Sequence, residues 1–149
     1  MVLKKRNKVE AHDQKVTHGY SIHYPAHEAR EGDPHYRDFD HLRKKLKADP
    51  DRWRCEVGVH RGDFTECDLL HPLELHHAHV EFALANNVEL AWLAKDYPGI
   101  DTPEEVGQWV ESADNLMVLC AYHHRGHAGI HVASAADFEA EKYVRGLIS

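Results

Sequence analysis

The sequence predicts an α+β fold in which a small two-stranded sheet is combined with several helices. Two short apolar segments, residues 73–77 and 115–120, have the length and composition of strands. Helical apolar spacing and helix-start signals recur before, between and after them. The third observation is the content of His, 15 in 149 residues, which suggests metal or acid–base chemistry. A chain of this length fits one compact domain, or a small domain with an appendage.

The first 50 residues are predicted to form a basic N-terminal arm and one short helix. Residues 1–35 carry scattered His, Tyr, Gly and Pro without a sustained apolar period, which is typical of an extended arm. Tyr36, Phe39, Leu42 and Leu46 then recur at helical spacing, with basic residues on the other faces. A helix over 36–47 follows, with either a phosphate-contacting or a merely solvated basic face.

The middle of the chain is predicted to contain strands first and helices afterwards. Short alternating segments in residues 53–77 favour a hairpin or strand pair whose last strand ends at His76 and His77. Helix-forming residues over 80–97 predict one or two helices. Thr102 and Pro103 then begin a short helix, since they match an N-cap followed by proline at the first helical position.

The last third is predicted to contain one strand and two polar or amphipathic segments. Residues 115–120 form a compact apolar run suited to a buried strand, and a His-rich turn or helix continues from 121 to 127. Ser134 matches the N-cap of a terminal helix. Its expected apolar contacts are Phe138, Val144, Leu147 and Ile148.

Charge is distributed unevenly along the chain. The net charge is −7, but residues 1–62 hold 14 Lys and Arg against 10 Asp and Glu, whereas residues 63–149 hold 4 against 15. The basic half could dock phosphates while the acidic, His-rich half holds cations. No apolar run is long enough to span a bilayer, so we expect no membrane partner. Three cysteines make a disulfide framework unattractive and favour a reducing cytoplasm, bacterial or that of a phage-infected host.

The cysteines and one histidine match the ligand set of a structural zinc site. Cys55, Cys67 and the pair Cys120-x-x-His123 supply three thiolates and an imidazole, the number and kind of ligands that closed tetrahedral zinc sites use. The interval between Cys55 and Cys67 is wider than the usual knuckle. His60, five residues after Cys55, therefore competes with Cys67 for the remaining position.

The adjacent His76 and His77 can divide two tasks between them. Neighbouring residues of a strand point to opposite faces, so one imidazole can ligate a metal while the other contacts water or substrate. The second His cluster, at residues 123–131, must approach this pair in space for a metal site to form.

The order of these residues resembles the HNH endonucleases. The shared pattern is Cys, Cys, LELHH, then N-x3-L-C-x2-H-H, and it covers residues 55–131. The pattern resembles that of small phage-encoded HNH proteins, some of which act beside the DNA packaging machinery. The resemblance implies a ββα-metal (His-Me finger) core within a nuclease domain at 51–149, a structural zinc site, additional helices and the basic arm.

The resemblance also implies roles for individual residues. His77 becomes the general base, His76 and His124 become metal ligands in the catalytic site, and Asn115 holds the connecting loop or joins the ligand set. His131 is favoured over His127 as the third ligand. The expected cofactors are structural Zn²⁺ and a catalytic divalent cation, whether Mg²⁺, Mn²⁺, Ni²⁺ or Zn²⁺.

The expected reaction is hydrolysis of DNA phosphodiester bonds to 5′-phosphate and 3′-hydroxyl ends. The expected partners are DNA and a protein that supplies specificity, such as a phage packaging protein. Two other functions stay open. One is a zinc-stabilised nucleic-acid-binding module without cleavage, and the other is a hydrolase of small phosphoesters, which the lack of a paired-carboxylate motif disfavours.

Overall fold

A two-stranded antiparallel sheet connects the parts of the chain that carry the His and Cys clusters. The computed structural model describes residues 8–149, and within them it contains β1 (Glu74–His77) and β2 (Leu116–Leu119). The register pairs Glu74 with Leu119 and His77 with Leu116. The α+β class and both predicted strands are therefore confirmed, including the end of β1 at the double His.

Six α-helices and two short 3-10 helices surround this sheet in the described part of the chain. Thr102 Oγ1 accepts a hydrogen bond from the N–H of Glu105 at 3.2 Å, and Pro103 occupies the first turn, which confirms that predicted helix start. The α-helices are α1 (Tyr36–Lys47), α2 (Glu56–Arg61), α3 (Leu90–Asp96), α4 (Pro103–Val110), α5 (Ala121–Arg125) and α6 (Ala135–Ala140), and the 3-10 helices are Arg30–Gly32 and Phe82–Asn87.

The prediction of a hairpin or strand pair over 53–77 is wrong in its first half, where the chain forms α2. Such short apolar runs do not separate a strand from a buried helix by periodicity alone. Gly58 is buried under the ring of Phe64, so close that a Cβ would lie 2.3 Å from a ring carbon. Gly62 ends the helix in the left-handed conformation, at φ 65°. The glycines therefore mark a helix and its end rather than strand turns.

The predicted terminal helix begins at Ser134 but is shorter than expected. Ser134 Oγ accepts from the N–H of Asp137 at 3.1 Å, whereas α6 ends at Ala140. The carbonyl of Glu141 accepts a hydrogen bond from Arg61 Nε at 2.7 Å instead of continuing a helical ladder. The expected burial of the later apolar residues is wrong for Val144 and Leu147, both of which are exposed.

The described part of the chain contains two small hydrophobic cores. The first packs residues of α2, β2 and α6 around the cysteines: Cys55, Val57, Leu119, Cys120 and Phe138. In the second, Val106, Trp109 and Val110 of α4 pack against partly buried side chains from residues 80–100. The 3-10 helix Phe82–Asn87 and α3 therefore pack against α4. Because each core is small, bound metal would add substantially to stability.

The N-terminal segment has no regular secondary structure up to residue 29, but Ala26 and His27 already contact Asn86 and Phe82. Residues 8–29 form no helix or strand and are mostly exposed, while residues 1–7 of the predicted arm lie outside the described residues. Helix α1 turns Phe39 and Leu46 inward. Across residues 8–149, no helix has the length and apolarity required to cross a membrane.

Candidate metal centre and active site

Four side chains predicted to bind zinc converge on one point. Helices α2 and α5 begin directly after Cys55 and Cys120, and Cys67 lies in the turn before β1. The three sulfur atoms lie 3.7, 3.8 and 3.2 Å from His123 Nδ1, for Cys55, Cys67 and Cys120 in turn. All four ligand atoms lie within 4.8 Å of one another, close enough to hold a metal ion.

The spacing of this cluster is compatible with tetrahedral zinc. Zinc bonds of about 2.3 Å to sulfur and 2.0–2.1 Å to nitrogen place S and N atoms about 3.5 Å apart across a tetrahedral site. Hydrogen bonds from the Cys120 and Cys67 thiols lower the pKa of Cys55 and favour its thiolate, whereas the contacts of Cys67 with the Cys120 and Cys55 side chains raise the pKa of Cys67. The cluster includes Cys67 and not His60, which is exposed and contacts Tyr143.

A second cluster consists of three histidines. His76 comes from β1, His124 from α5 and His131 from the turns after α5. Their ring centroids lie 4.8 to 5.3 Å apart, and one ligand atom from each lies within 4.8 Å of the others. His127 is exposed and lies outside this cluster. The structure thus brings together the three histidines predicted as catalytic metal ligands.

The electrostatics of the second cluster favour neutral rings at His76 and His124, the form of imidazole that binds a cation. Burial, reinforced by the neighbouring histidines, lowers the pKa of His76 to about 4, so this ring is neutral at pH 7. Its Nδ1 is buried and has no hydrogen-bond partner among residues 8–149. Burial also lowers the pKa of His124, although Glu74 opposes the shift. Glu74 lies 3.2 Å from His124 Nδ1, which leaves Nε2 of that ring facing His131 at 3.1 Å.

His77 lies outside both clusters, and its side chain makes a different set of contacts. Its Nε2 lies 3.2 Å from an oxygen of Glu111, and its Nδ1 lies 3.7 Å from an oxygen of Glu81. The Phe39 ring of α1 stacks on the imidazole with 6.1 Å between centroids. The side chain is 7% exposed. His76 and His77 therefore serve two different environments, as alternation along a strand requires.

Asn115 holds the turn that follows β1. Its Oδ1 accepts hydrogen bonds from the N–H groups of His79 and Val80, at 2.9 and 3.0 Å. Its Nδ2 donates to the carbonyls of Val80 and Val110, at 2.8 and 2.9 Å. The side chain is fully buried, and these four bonds use both of its polar atoms. Of its two expected roles, this geometry corresponds to holding the loop.

Several charged residues near these sites were not identified by the sequence analysis. Glu74 had a usable signal, because it lies two residues before His76 and hence on the same strand face. Glu111 and Arg30 had none, since they lie 34 and 47 residues from His77 and belong to no motif. Glu141 is buried beside the first cluster, and burial raises its pKa although His123 opposes the shift.

His35 connects α1 to α4. Its Nδ1 lies 3.2 Å from Asp38, and its Nε2 lies 3.2 Å from Glu104. Burial of the ring disfavours its charged form, but hydrogen bonds to these two carboxylates outweigh that effect and raise its pKa. The ring packs over Gly107, where a Cβ would approach it to 2.7 Å.

Comparison of the chain with family models, with curated proteins and with solved structures gives no match. The two clusters and His77 are therefore the features of the molecule that bear on its function.

Proposed function

We propose that this chain is a metal-dependent endonuclease of the HNH type that hydrolyses DNA phosphodiester bonds. The observation that carries the proposal is the division of labour at the end of β1. His76 belongs to the three-histidine cluster, whereas Nε2 of His77 contacts the Glu111 carboxylate. Nδ1 of His77 has no hydrogen-bond partner within 3.5 Å among the described residues. A purely structural metal site does not require a second histidine beside a buried carboxylate.

The order of the elements gives further support. His76 is on the first strand, His124 is on the helix that directly follows the second strand, and α5 packs on both strands. This order corresponds to the ββα-metal core that the sequence resemblance implies. We propose that Zn²⁺ occupies the Cys55, Cys67, Cys120 and His123 cluster and stabilises this core.

The proposed reaction assigns a single proton transfer to His77. Its Nδ1 takes a proton from a water molecule as the water oxygen bonds to phosphorus, and the bond from phosphorus to the 3′-oxygen breaks. The products are a 5′-phosphate and, once the leaving oxygen is protonated by solvent, a 3′-hydroxyl. A divalent cation held by His76, His124 and His131 would supply charge stabilisation to the phosphate and leaving oxygen. Imidazole ligands suit Zn²⁺ or Ni²⁺ better than Mg²⁺.

DNA binding is proposed to involve the basic N-terminal half. Arg37, Lys45 and Lys47 are exposed on α1, the helix whose Phe39 stacks on His77. The chain as a whole carries a net charge of −7, which weakens its attraction to phosphates. We therefore propose that a partner protein, such as a component of a phage packaging machine, supplies sequence or site specificity.

A zinc-stabilised binding module is the second candidate. The observation that favours it is the buried Cys and His cluster, which would stabilise the fold without any use of His77. In this alternative, the exposed basic residues of α1 bind nucleic acid and the three-histidine cluster only supports the fold.

Nicking of supercoiled plasmid separates the two candidates. The full chain would be assayed with EDTA, Mg²⁺, Mn²⁺, Ni²⁺ or Zn²⁺, beside His77→Ala and the control His41→Ala, which replaces an exposed histidine of α1. We expect metal-dependent nicking that His77→Ala abolishes and His41→Ala preserves. DNA binding without nicking under every metal, by folded protein that retains zinc, would instead favour the binding module.

A further inference from the structure

Contacts through Glu111 and Arg30 connect His77 to the N-terminal segment. His77 Nε2 lies 3.2 Å from Glu111 Oε2, and the same oxygen lies 3.5 Å from a guanidinium nitrogen of Arg30. Glu111 directly follows α4, and Arg30 is in the 3-10 helix that precedes α1. Three separate parts of the chain thus meet beside the candidate base.

Glu111 is buried, and an ionised carboxylate in a buried position destabilises the fold unless it has partners. Its side chain is 1% exposed, and within the described part of the chain its second oxygen has no hydrogen-bond partner. Removing a carboxylate from water is expensive unless a cation or donors compensate. Arg30 provides that compensation, and its guanidinium is itself held over the Phe39 ring at 3.8 Å from the centroid. Phe39 in turn stacks on His77.

The contact with Glu111 also decides which nitrogen of His77 can accept a proton. An ionised carboxylate only accepts hydrogen bonds, so the imidazole nitrogen facing it must carry the hydrogen. The hydrogen of neutral His77 therefore belongs on Nε2, and the lone pair belongs on Nδ1. The nearest carboxylate oxygen to Nδ1 is that of Glu81 at 3.7 Å, too distant for a hydrogen bond.

We propose that Glu111 is a positioning residue that holds His77 in the Nε2–H tautomer, and that Arg30 of the N-terminal segment holds Glu111 in place. The inference rests on the proposed function, in which Nδ1 is the base. It makes the N-terminal segment part of the active site as well as a DNA-binding arm.

Histidine tautomers provide the test that does not depend on activity. Full-length protein loaded with zinc and labelled with ¹⁵N in its histidines would be compared with Glu111→Gln and with the control Glu89→Gln, which changes an exposed glutamate before α3. Loss of one signal set in His77→Gln assigns the resonances of His77. We expect the Nε2–H tautomer in the native protein and in the control, and population of the Nδ1–H tautomer in Glu111→Gln, whose amide can donate.

Nicking kinetics provide the second readout. We expect Glu111→Gln to lower kcat at least about 100-fold with KM changed less than about twofold, because the wrong tautomer removes the base without removing a DNA contact. Arg30→Ala should lower kcat about tenfold, since losing a group that holds a reactive residue costs roughly 10- to 100-fold. Arg30→Lys should recover part of this loss. Lys95→Ala, which removes an exposed charge of α3, should leave kcat unchanged.

The two readouts distinguish failure of the inference from failure of the proposed function. An unchanged His77 tautomer in Glu111→Gln, or an Nδ1–H tautomer in the native protein, overturns the inference. A tautomer that shifts as expected in a protein that never nicks DNA overturns the nuclease function and leaves Glu111 as the residue that orients His77. A kcat in Arg30→Ala that equals that of the control Lys95→Ala overturns the assignment of Arg30.

Discussion

Replacing Cys120 with serine should remove zinc and destabilise the fold. Cys120 is fully buried, its sulfur lies 3.2 Å from His123 Nδ1, and it also accepts a hydrogen bond from the backbone N–H of His123 at the start of α5. Serine is a good N-cap and nearly the same size, so Cys120→Ser preserves the cap and most of the packing. The change therefore acts mainly on metal binding.

The magnitude follows from the number of ligands. Structural zinc sites contribute about 10–16 kcal/mol of apparent binding free energy, so an even share for one ligand of four is about 2.5–4 kcal/mol. In a domain of this size, 1 kcal/mol corresponds to roughly 2–4 °C in Tm. We expect Cys120→Ser to lower Tm by about 5–16 °C.

The assay compares thermal unfolding and zinc content before and after chelation. Native protein should contain one equivalent of structural zinc and lose stability when a strong chelator removes it. After chelation, the native protein and Cys120→Ser should melt at nearly the same temperature, because the difference between them was the metal. Unchanged zinc content and Tm in Cys120→Ser would refute the structural zinc site, and a Tm difference that survives chelation would show that packing was responsible.

Three further predictions follow from the geometry. His131→Ala should weaken Ni²⁺ binding at the three-histidine cluster at least about tenfold in a competition titration, whereas His127→Ala should not, and equal effects would contradict the assignment. The raised pKa of His35 means that its contribution to stability is present below its unfolded value near 6.5 and is lost as pH rises through the higher folded value. His35→Gln should therefore lower the free energy of unfolding more at pH 5.5 than at pH 8.5, as measured by urea unfolding. A destabilisation that grows with pH would refute this prediction. Asn115→Ala should lower the free energy of unfolding by about 2–4 kcal/mol, because two backbone N–H groups in a buried turn lose their hydrogen-bond acceptor. A decrease under about 1 kcal/mol in urea unfolding would contradict this prediction.

Local signals predicted most of the secondary structure correctly. The strand ending at the double His, the helix started by Thr102 and Pro103, and the strand before Cys120 are all confirmed. Each depends on interactions within a few residues, namely capping, a proline at the first helical turn or a short apolar run. The prediction over residues 53–61 was wrong because the glycines there admit both a helix and a turn, and packing against Phe64 decided between them.

Ligand chemistry could also be read from the sequence, because only a few residue types bind zinc and their spacing is restricted. The choice between His60 and Cys67 as the remaining ligand could not be made from the sequence, since both spacings are chemically acceptable. Packing of α2 decided it, placing His60 on the exposed face and Cys55 in the core beside Cys67.

Residue types and their spacing therefore predict three features of this chain: an α+β pattern, a zinc-type ligand set and a pair of histidines that alternate along a strand. The partners of those residues depend instead on tertiary packing. The contacts of His77 with Glu111 and Phe39, and of Glu111 with Arg30, join residues 34 to 81 positions apart. Such contacts leave no trace in local spacing, because they depend on how α1 and α4 pack beside the sheet.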